Sequence, residues 1–146
     1  MGEIPGYGGS VLYIDLSTGD IKTKKLNKEM IENYIGGEGF AFALAKDHMP
    51  VGEDPFSPGN PIIIGAPALG GTCAPAGKVA WVTKFPVVDD EGKSFIGSAK
   101  AGSNLFGAMM KNAGYDAIVI TGAAEKLSYI KIIDDDIEIM DASEFK

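Results

Sequence analysis

Residues 62–84 read IIIGAPALGGTCAPAGKVAWVTK and hold two apolar stretches joined by a long run of small side chains. Residues 62–64 are typical of a buried strand, and residues 78–84 predict a second strand. The joining residues 65–77 carry no charge and are rich in glycine and proline, so no helix is expected between the strands. Consecutive strands of this kind do not fit the β–α–β alternation of a doubly wound fold.

The residues before this stretch predict a hairpin and two helices. Residues 11–16 and 21–26 are strand-like and flank a turn, which is typical of a β-hairpin. Asn27 can cap a helix that runs through Tyr34, and a second helix is predicted for residues 38–47. The proline-rich residues 49–61 predict an ordered loop that leads into the next strand.

The residues after it predict a second loop of small side chains, a helix and three more strands. Residues 95–103 are rich in Gly, Ala and Ser, and Asn104 can cap a helix that ends near Asn112. The apolar side chains expected on the buried side of this helix are Leu105, Ala108 and Met109. A buried strand at residues 117–120 and a hairpin at residues 127–140 follow. The order of elements predicts an α+β fold with largely antiparallel sheets and about three helices.

Composition limits the classes of protein to which this chain can belong. A chain of 146 residues with 45% hydrophobic residues suits one folded domain, residues 1–146. The net charge of −7 argues against a nucleic-acid partner, and all 13 basic residues are Lys. No signal peptide and no apolar run of the roughly 20 residues that span a membrane is visible, so we expect a cytoplasmic protein without a membrane partner.

The single cysteine and the single histidine restrict the metal chemistry. An iron–sulfur cluster takes about four thiolates, so Cys73 alone cannot hold one, and a zinc site built from Cys and His is implausible. We expect Cys73 to be a buried or half-buried thiol and His48 to lie at the surface or an interface. No pair of nucleophile and base is evident.

Other candidate sites have ordinary structural interpretations. Residues 65–77 could bring backbone groups close to a flat or anionic ligand, or could simply pack over a sheet, and both interpretations stay open. Residues 97–103 lack the Gly-Lys-Ser/Thr ending of a P-loop, which favours a plain strand-to-helix turn. The carboxylates of residues 134–136 lack calcium-loop spacing and predict a solvated hairpin turn. Trp81 is expected in the core or at an interface.

Several motifs together resemble the aldehyde:ferredoxin oxidoreductase family, and their order matches the start of its N-terminal domain. They are VLYIDLSTGDIK (11–22), YIGGEGF (34–40), DPFSPGN (54–60), GGTCAP (70–75), VTKFP (82–86), KNAGYDAIVI (111–120) and IEIMDAS (137–143). The resemblance implies a domain that forms a base for two pterins, which hold tungsten or molybdenum beside a [4Fe-4S] cluster. In complete enzymes the cluster cysteines come from later domains, and electrons from aldehyde oxidation pass to ferredoxin.

The resemblance also assigns cofactor-binding positions. Lys78 stands where the family has an Arg that reaches pterin phosphate. Ala101, Gly102 and Ser103 fall, with Asn104, on the family's Asn-Ser-Gly-Gly-like turn, whose backbone helps hold a magnesium ion between the pterin phosphates. No catalytic residue and no metal ligand is assigned to this chain.

Two functions are therefore expected. The first is the cofactor-cradling portion or small subunit of a tungstopterin enzyme, which is not catalytic alone. The second is a stand-alone binding or assembly module that kept the fold and lost the metal–pterin. Asp141 or Ser143 is typical of a helix start, with no helix predicted after it, as expected for a domain that continues in the family. The expected partner is a second copy or a separate chain with the remaining domains.

Overall fold

The computed structural model describes residues 4–74, 77–102 and 105–145. Within these residues the chain forms eight strands, three α-helices and one 3-10 helix. In chain order these elements are β1 (Ser10–Asp15), β2 (Ile21–Lys25), α1 (Lys28–Tyr34), α2 (Glu38–His48), β3 (Ile62–Gly65), β4 (Lys78–Val88), β5 (Ser94–Gly102), α3 (Phe106–Asn112), β6 (Tyr115–Thr121), β7 (Ser128–Ile133), β8 (Asp136–Asp141) and the 3-10 helix (Ser143–Phe145). The predicted α+β fold is confirmed.

The strands form one six-stranded sheet and a separate hairpin. The order in the large sheet is β2-β1-β6-β3-β4-β5. β1 and β6 are parallel, and every other neighbouring pair is antiparallel. β7 and β8 pair only with each other, with Ile130 opposite Ile139. The predicted antiparallel character is therefore confirmed, with one parallel pair, β1 and β6, inside the sheet.

The large sheet buries apolar side chains on both faces because adjacent strand residues point to opposite sides. The helix-side core, which lies against α1 and α2, consists of Val11, Leu26, Phe40, Ala41, Leu44, Ala45, Met49, Ile63, Val82, Ala117 and Val119. The hairpin-side core, which lies against α3 and the β7–β8 hairpin, consists of Leu12, Ile14, Ile64, Ala66, Val79, Met110, Tyr115 and Ile118. The β3 residues Ile63 and Ile64 show the alternation directly, because one belongs to each core.

The predicted cap of α1 is present. The Asn27 side-chain oxygen accepts a hydrogen bond from the Met30 amide at 2.6 Å, which satisfies one of the free donors at the start of the helix. The chain then turns through Gly36 and Gly37 and enters α2 at Glu38. The two helices thus occur where the sequence places them, and the turn between them approaches the large sheet.

The predicted loop at residues 95–103 is a strand over most of its length, so that prediction is wrong. β5 runs antiparallel to β4, from the pair Lys84 and Ile96 to the pair Lys78 and Gly102. Most β5 side chains are exposed, so the residues show no alternation of buried and exposed types. Hydrogen bonding to a distant strand, rather than local preference, makes this segment a strand.

The predicted buried side of α3 is also wrong. Gly107, Met110 and Lys111 are buried, whereas Leu105 and Met109 are 64% and 57% exposed. A Cβ at position 107 would lie 2.9 Å from Val79 Cγ1, so glycine permits the close approach of α3 to β4. The hydrophobic pattern predicts the wrong face of α3, because the face that is buried consists of a glycine, a methionine and a lysine.

A buried lysine fixes the proline-rich loop before β3. Lys84 Nζ donates to the carbonyl of Pro50 at 3.2 Å and to that of Glu53 at 2.9 Å. The Asn60 side-chain amide donates to the carbonyls of Pro55, at 2.8 Å, and of Lys84, at 3.0 Å. The loop is therefore ordered by side chains that satisfy its own carbonyls, in agreement with the predicted ordered loop.

In the described part of the chain, no helix has the length and apolar character needed to cross a membrane.

Candidate functional site

The turn between α1 and α2 meets the loop after β3 by close contact of two backbones. The Gly37 amide donates to the Ala66 carbonyl at 2.8 Å. A Cβ at Gly65 would lie 2.1 Å from the Gly37 carbonyl oxygen, which is far inside van der Waals contact. Gly37 itself has a φ of 55°, a conformation that glycine adopts without steric strain. This contact holds the two glycine-rich segments side by side.

Beside this contact lies an open cleft of ≈ 350 Å³. Its walls come from the α1–α2 turn, the loop after β3, and the strands β4 and β5. The lining residues are Ile35, Gly36, Gly37, Glu38, Pro67, Ala68, Leu69, Lys78, Ala80 and Lys100. The walls consist mostly of backbone and small side chains, so a flat ligand could approach main-chain groups directly.

The charges in the cleft belong to two lysines and one glutamate. Lys100 Nζ lies 2.7 Å from Glu38 Oε2, and the Ser98 hydroxyl donates to the other oxygen of the same carboxylate. The hydrogen bonds from Lys100 and Ser98 lower the pKa of Glu38 below its ordinary value. Glu38 therefore stays ionised at neutral pH and neutralises Lys100.

Lys78 is the other cation in the cleft, and it makes no ion pair with any residue in the described ranges. It is the first residue of β4 and lies opposite Gly102 of β5. A Cβ at Gly102 would lie 3.7 Å from Lys78 Cγ, so the aliphatic stem of Lys78 passes next to this glycine. The structure thus brings together two of the residues assigned by resemblance, Lys78 and Gly102.

The other assigned residues are placed differently. Ala101 lies opposite Val79, which belongs to the hairpin-side core, so Ala101 points to the sheet face opposite the one that carries Lys78. Ser103 lies outside the described residues. The small-residue segments before and after β4 are therefore one loop and one strand rather than two loops.

Sequence reasoning missed a buried ion pair behind the cleft. The side chains of Lys111 and Asp116 are 6% and 1% exposed, and their charged atoms are 3.9 Å apart. Asp116 accepts hydrogen bonds from the amides of Gly8, at 3.0 Å, and Gly9, at 2.7 Å. The KNAGYD motif contains both residues, yet nothing local to the motif shows that the lysine is buried.

The remaining candidates lie elsewhere. Cys73 is exposed, which corrects the expected buried or half-buried thiol: it lies in the turns after β3, outside both cores. His48 packs on the Tyr13 ring, with centroids 5.2 Å apart, and burial lowers its pKa. Asp134, Asp135 and Asp136 are exposed at the β7–β8 turn, as predicted. Trp81 is half-buried against the hairpin-side core and stacks on Phe106.

No group of three or more His, Cys, Asp or Glu side chains that could hold a metal ion occurs in residues 4–74, 77–102 and 105–145. What the described residues offer to a ligand is backbone, the Lys78 ammonium and the neutralised Lys100.

Comparison with known proteins identifies the family. The family model described as "Aldehyde ferredoxin oxidoreductase, N-terminal domain" matches residues 11–146. The chain belongs to the aldehyde ferredoxin oxidoreductase family. The resemblance of its sequence motifs to that family is thereby confirmed over almost the whole length.

Individual relatives show the same relationship. The chain is similar to the tungsten-containing aldehyde ferredoxin oxidoreductase of Pyrococcus furiosus, at 45% identity over 94% of this chain and 22% of that protein. It is also similar to an aliphatic sulfonate oxidoreductase WOR-like subunit of the same organism, at 32% identity over 95% of this chain and 22% of that protein. The chain thus spans about a fifth of the length of these curated relatives.

A solved structure has the same fold. The active site complex BamBC of benzoyl coenzyme A reductase, in complex with 1,5-dienoyl-CoA, superposes with a TM-score of 0.87 at 31% sequence identity. The match covers 97% of this chain and 21% of that one. The α+β architecture is therefore that of an aldehyde ferredoxin oxidoreductase N-terminal domain.

The cleft fits the organic part of the cofactor that the family implies. A Cβ at Gly36 would lie 3.1 Å from the Ala68 nitrogen, so the absence of a side chain leaves main-chain groups accessible at this wall. Lys78 adds a positive charge at the rim, which suits a phosphate. Pterin phosphate contacts fit these residues, whereas a metal centre needs ligands from outside the described residues.

Proposed function

We propose that this chain is the cofactor-cradling portion, or small subunit, of a tungstopterin aldehyde ferredoxin oxidoreductase-like enzyme, and that it is not catalytic alone. The observation that carries the proposal is the cleft where Lys78 faces two backbone segments of small residues. When bound, a tungsten or molybdenum ion held by two pterin dithiolenes supplies the oxidation of aldehyde to carboxylic acid.

The chain's own residues hold the cofactor in this proposal. The Lys78 ammonium binds a pterin phosphate, and the backbone of residues 36–37 and 67–69 forms the wall against which the ligand lies. Gly102 lies opposite Lys78, whose aliphatic stem passes next to it. The [4Fe-4S] cluster, the proton-transfer groups and the docking site for ferredoxin lie on other domains, either on a partner chain or on further residues of a longer protein.

Elemental and pterin analysis tests the proposal. Protein isolated from a tungstate-supplied native host is expected to carry tungsten and to release a fluorescent pterin after oxidation. Lys78→Met is expected to lower the pterin content. Lys93→Met, which changes an exposed lysine in the turn between β4 and β5, is expected to leave the pterin content unchanged. Folded wild-type protein without metal and pterin would contradict the proposal.

The second candidate function is a non-catalytic binding or assembly module, and the charge of the cleft favours it. Glu38 neutralises Lys100, so Lys78 is left as the single unpaired cation among the described lining residues, where an arginine would present a fork of donors. Metal-free protein that still forms a stable complex with a partner chain would support this alternative.

A further inference from the structure

Lys111 places a positive charge directly behind the wall of the cleft. Its Nζ donates to the carbonyls of Pro67, at 3.2 Å, and of Ala68, and also to the carbonyl of Gly6. Asp116 balances the charge and binds the amides of Gly8 and Gly9. The buried pair therefore joins the N-terminal segment, α3 and β6 to the loop after β3.

The orientation of two peptide groups follows from these contacts. In a trans peptide the C=O and N–H bonds point in opposite directions. Because the carbonyls of Pro67 and Ala68 point to Lys111, the amides of Ala68 and Leu69 point away from it. Both residues line the cleft, and neither amide donates a hydrogen bond to another described residue. On that side Ala68 N is next to Gly36, which also lines the cleft.

We propose that Lys111 is a positioning residue that holds the Pro67–Ala68 and Ala68–Leu69 peptides with their amides directed into the cleft, where they donate to a phosphate group of the ligand. This inference rests on the proposed function, because it assumes that the cleft receives an anionic cofactor. Without the Lys111 ammonium the carbonyls of Ala68 and Gly6 would lose their donor and the Pro67 carbonyl would keep only the Gly70 amide, so the two peptides would be held less firmly in this orientation.

Lys84 provides a matched control. It is also a buried lysine that donates to two loop carbonyls, but those carbonyls belong to Pro50 and Glu53, which do not line the cleft. Lys111→Met and Lys84→Met therefore each remove one ammonium donor, and the two donors hold different loops; Lys111→Met also removes the ion pair with Asp116. A general loss of stability would affect both variants, whereas a positioning role belongs to Lys111 alone.

Amide-resolved NMR of the chain provides the first readout. The Gly70 amide donates to Pro67 O at 2.9 Å, and the Asn60 amide donates to Ser57 O at 3.1 Å. Lys111→Met is expected to speed hydrogen exchange of Gly70 by roughly tenfold or more and to leave Asn60 unchanged, because local opening exposes only the loop that lost its donor. Lys84→Met should give the reverse pattern. Equal acceleration of both amides in both variants would overturn the positioning role.

Titration with inorganic phosphate provides the second readout. In the wild type we expect shifts at the Ala68 and Leu69 amides, with binding weakened roughly tenfold by Lys111→Met and unchanged by Lys84→Met. A wild type without these shifts, or equal affinities in all three proteins, would overturn the inference. If phosphate binding depends on Lys111 while the native protein carries no pterin, the proposed function fails and the positioning role stands.

Discussion

Lys100 Nζ lies 2.7 Å from Glu38 Oε2, which ties the exposed strand β5 to the first turn of α2. The pair crosses the cleft between its two sides and leaves Lys78 as the unpaired cation of the described lining. Glu38 therefore controls the net charge that a ligand meets.

Lys100→Met should raise the pKa of Glu38 toward its ordinary value of 4.5, because the hydrogen bond from Lys100 is the largest cause of the lowered pKa. A carboxyl-detected NMR titration measures this. Lys93→Met, which removes a lysine paired with Glu91, should leave the Glu38 titration unchanged. A wild-type Glu38 that titrates at its ordinary value would refute the assignment.

The same shift predicts how the cleft responds to acid. Since folding lowers the pKa of Glu38, the pair contributes to stability above the unfolded pKa, and this contribution is lost as the pH falls through the folded pKa. Lys100 is then released. Glu38→Gln should reproduce the acid state at neutral pH and bind inorganic phosphate more tightly than the wild type. Equal affinities would show that the charge of Lys100 does not reach the ligand.

Lys84→Met should lower the free energy of unfolding by about 1–3 kcal/mol, because two loop carbonyls lose the donor that the buried Lys84 side chain provides. The affected acceptors are the carbonyls of Pro50 and Glu53. Urea denaturation measures the change. Lys22→Met, at an exposed pair with Asp20, should change stability by less than about 0.5 kcal/mol, and a similar loss in both variants would contradict the prediction.

Phe40→Ala should destabilise the chain by about 3–5 kcal/mol, because Phe40 is fully buried in the helix-side core. Thermal and urea unfolding would both show the loss. Phe56 is 83% exposed, so Phe56→Ala removes the same side chain from the surface and should be nearly neutral. If the two variants unfolded alike, α2 would not be packed as described.

Gly65→Ala should disrupt the contact between the α1–α2 turn and β3, since the new Cβ would collide with backbone at 2.1 Å. We expect a loss of about 2 kcal/mol or more in unfolding free energy, or failure to fold. Gly102→Ala adds the same group where the nearest atom, Lys78 Cγ, is 3.7 Å away, and should fold normally. An unaffected Gly65→Ala would contradict the close approach.

We expect self-association, or binding of a partner chain, at the end of the β4–β5 pair where the two strands are joined by a turn, because apolar side chains are exposed there. Val87, Val88 and Phe95 are 56%, 57% and 51% exposed, and Ile96 is 41% exposed. Sedimentation at micromolar concentration should show a species larger than a monomer, and Phe95→Lys should shift it toward the monomer. A monodisperse wild-type monomer would count against self-association.

Most of the elements follow from local patterns. The β1–β2 hairpin, the Asn27 cap and the β7–β8 turn depend on residues close together in the chain, so period, cap and turn signals suffice to predict them. Two errors have a common cause. β5 has no hydrophobic alternation and becomes a strand only through β4, and α3 buries a glycine and a lysine that hydrophobic patterning does not count.

The sequence by itself determined the order of the strands and helices except for β5, the family, and the position of the small-residue loop that forms one wall of the cleft. Only the tertiary structure decided that Lys78 lies opposite Gly102, that Glu38 pairs with Lys100, and that Lys111 lies buried behind Pro67 and Ala68. The physical reason is that burial and hydrogen bonding of a charged side chain depend on groups contributed by distant segments. The sequence of a motif does not show whether the ammonium of its lysine is surrounded by water or, as for Lys111, by three backbone carbonyls.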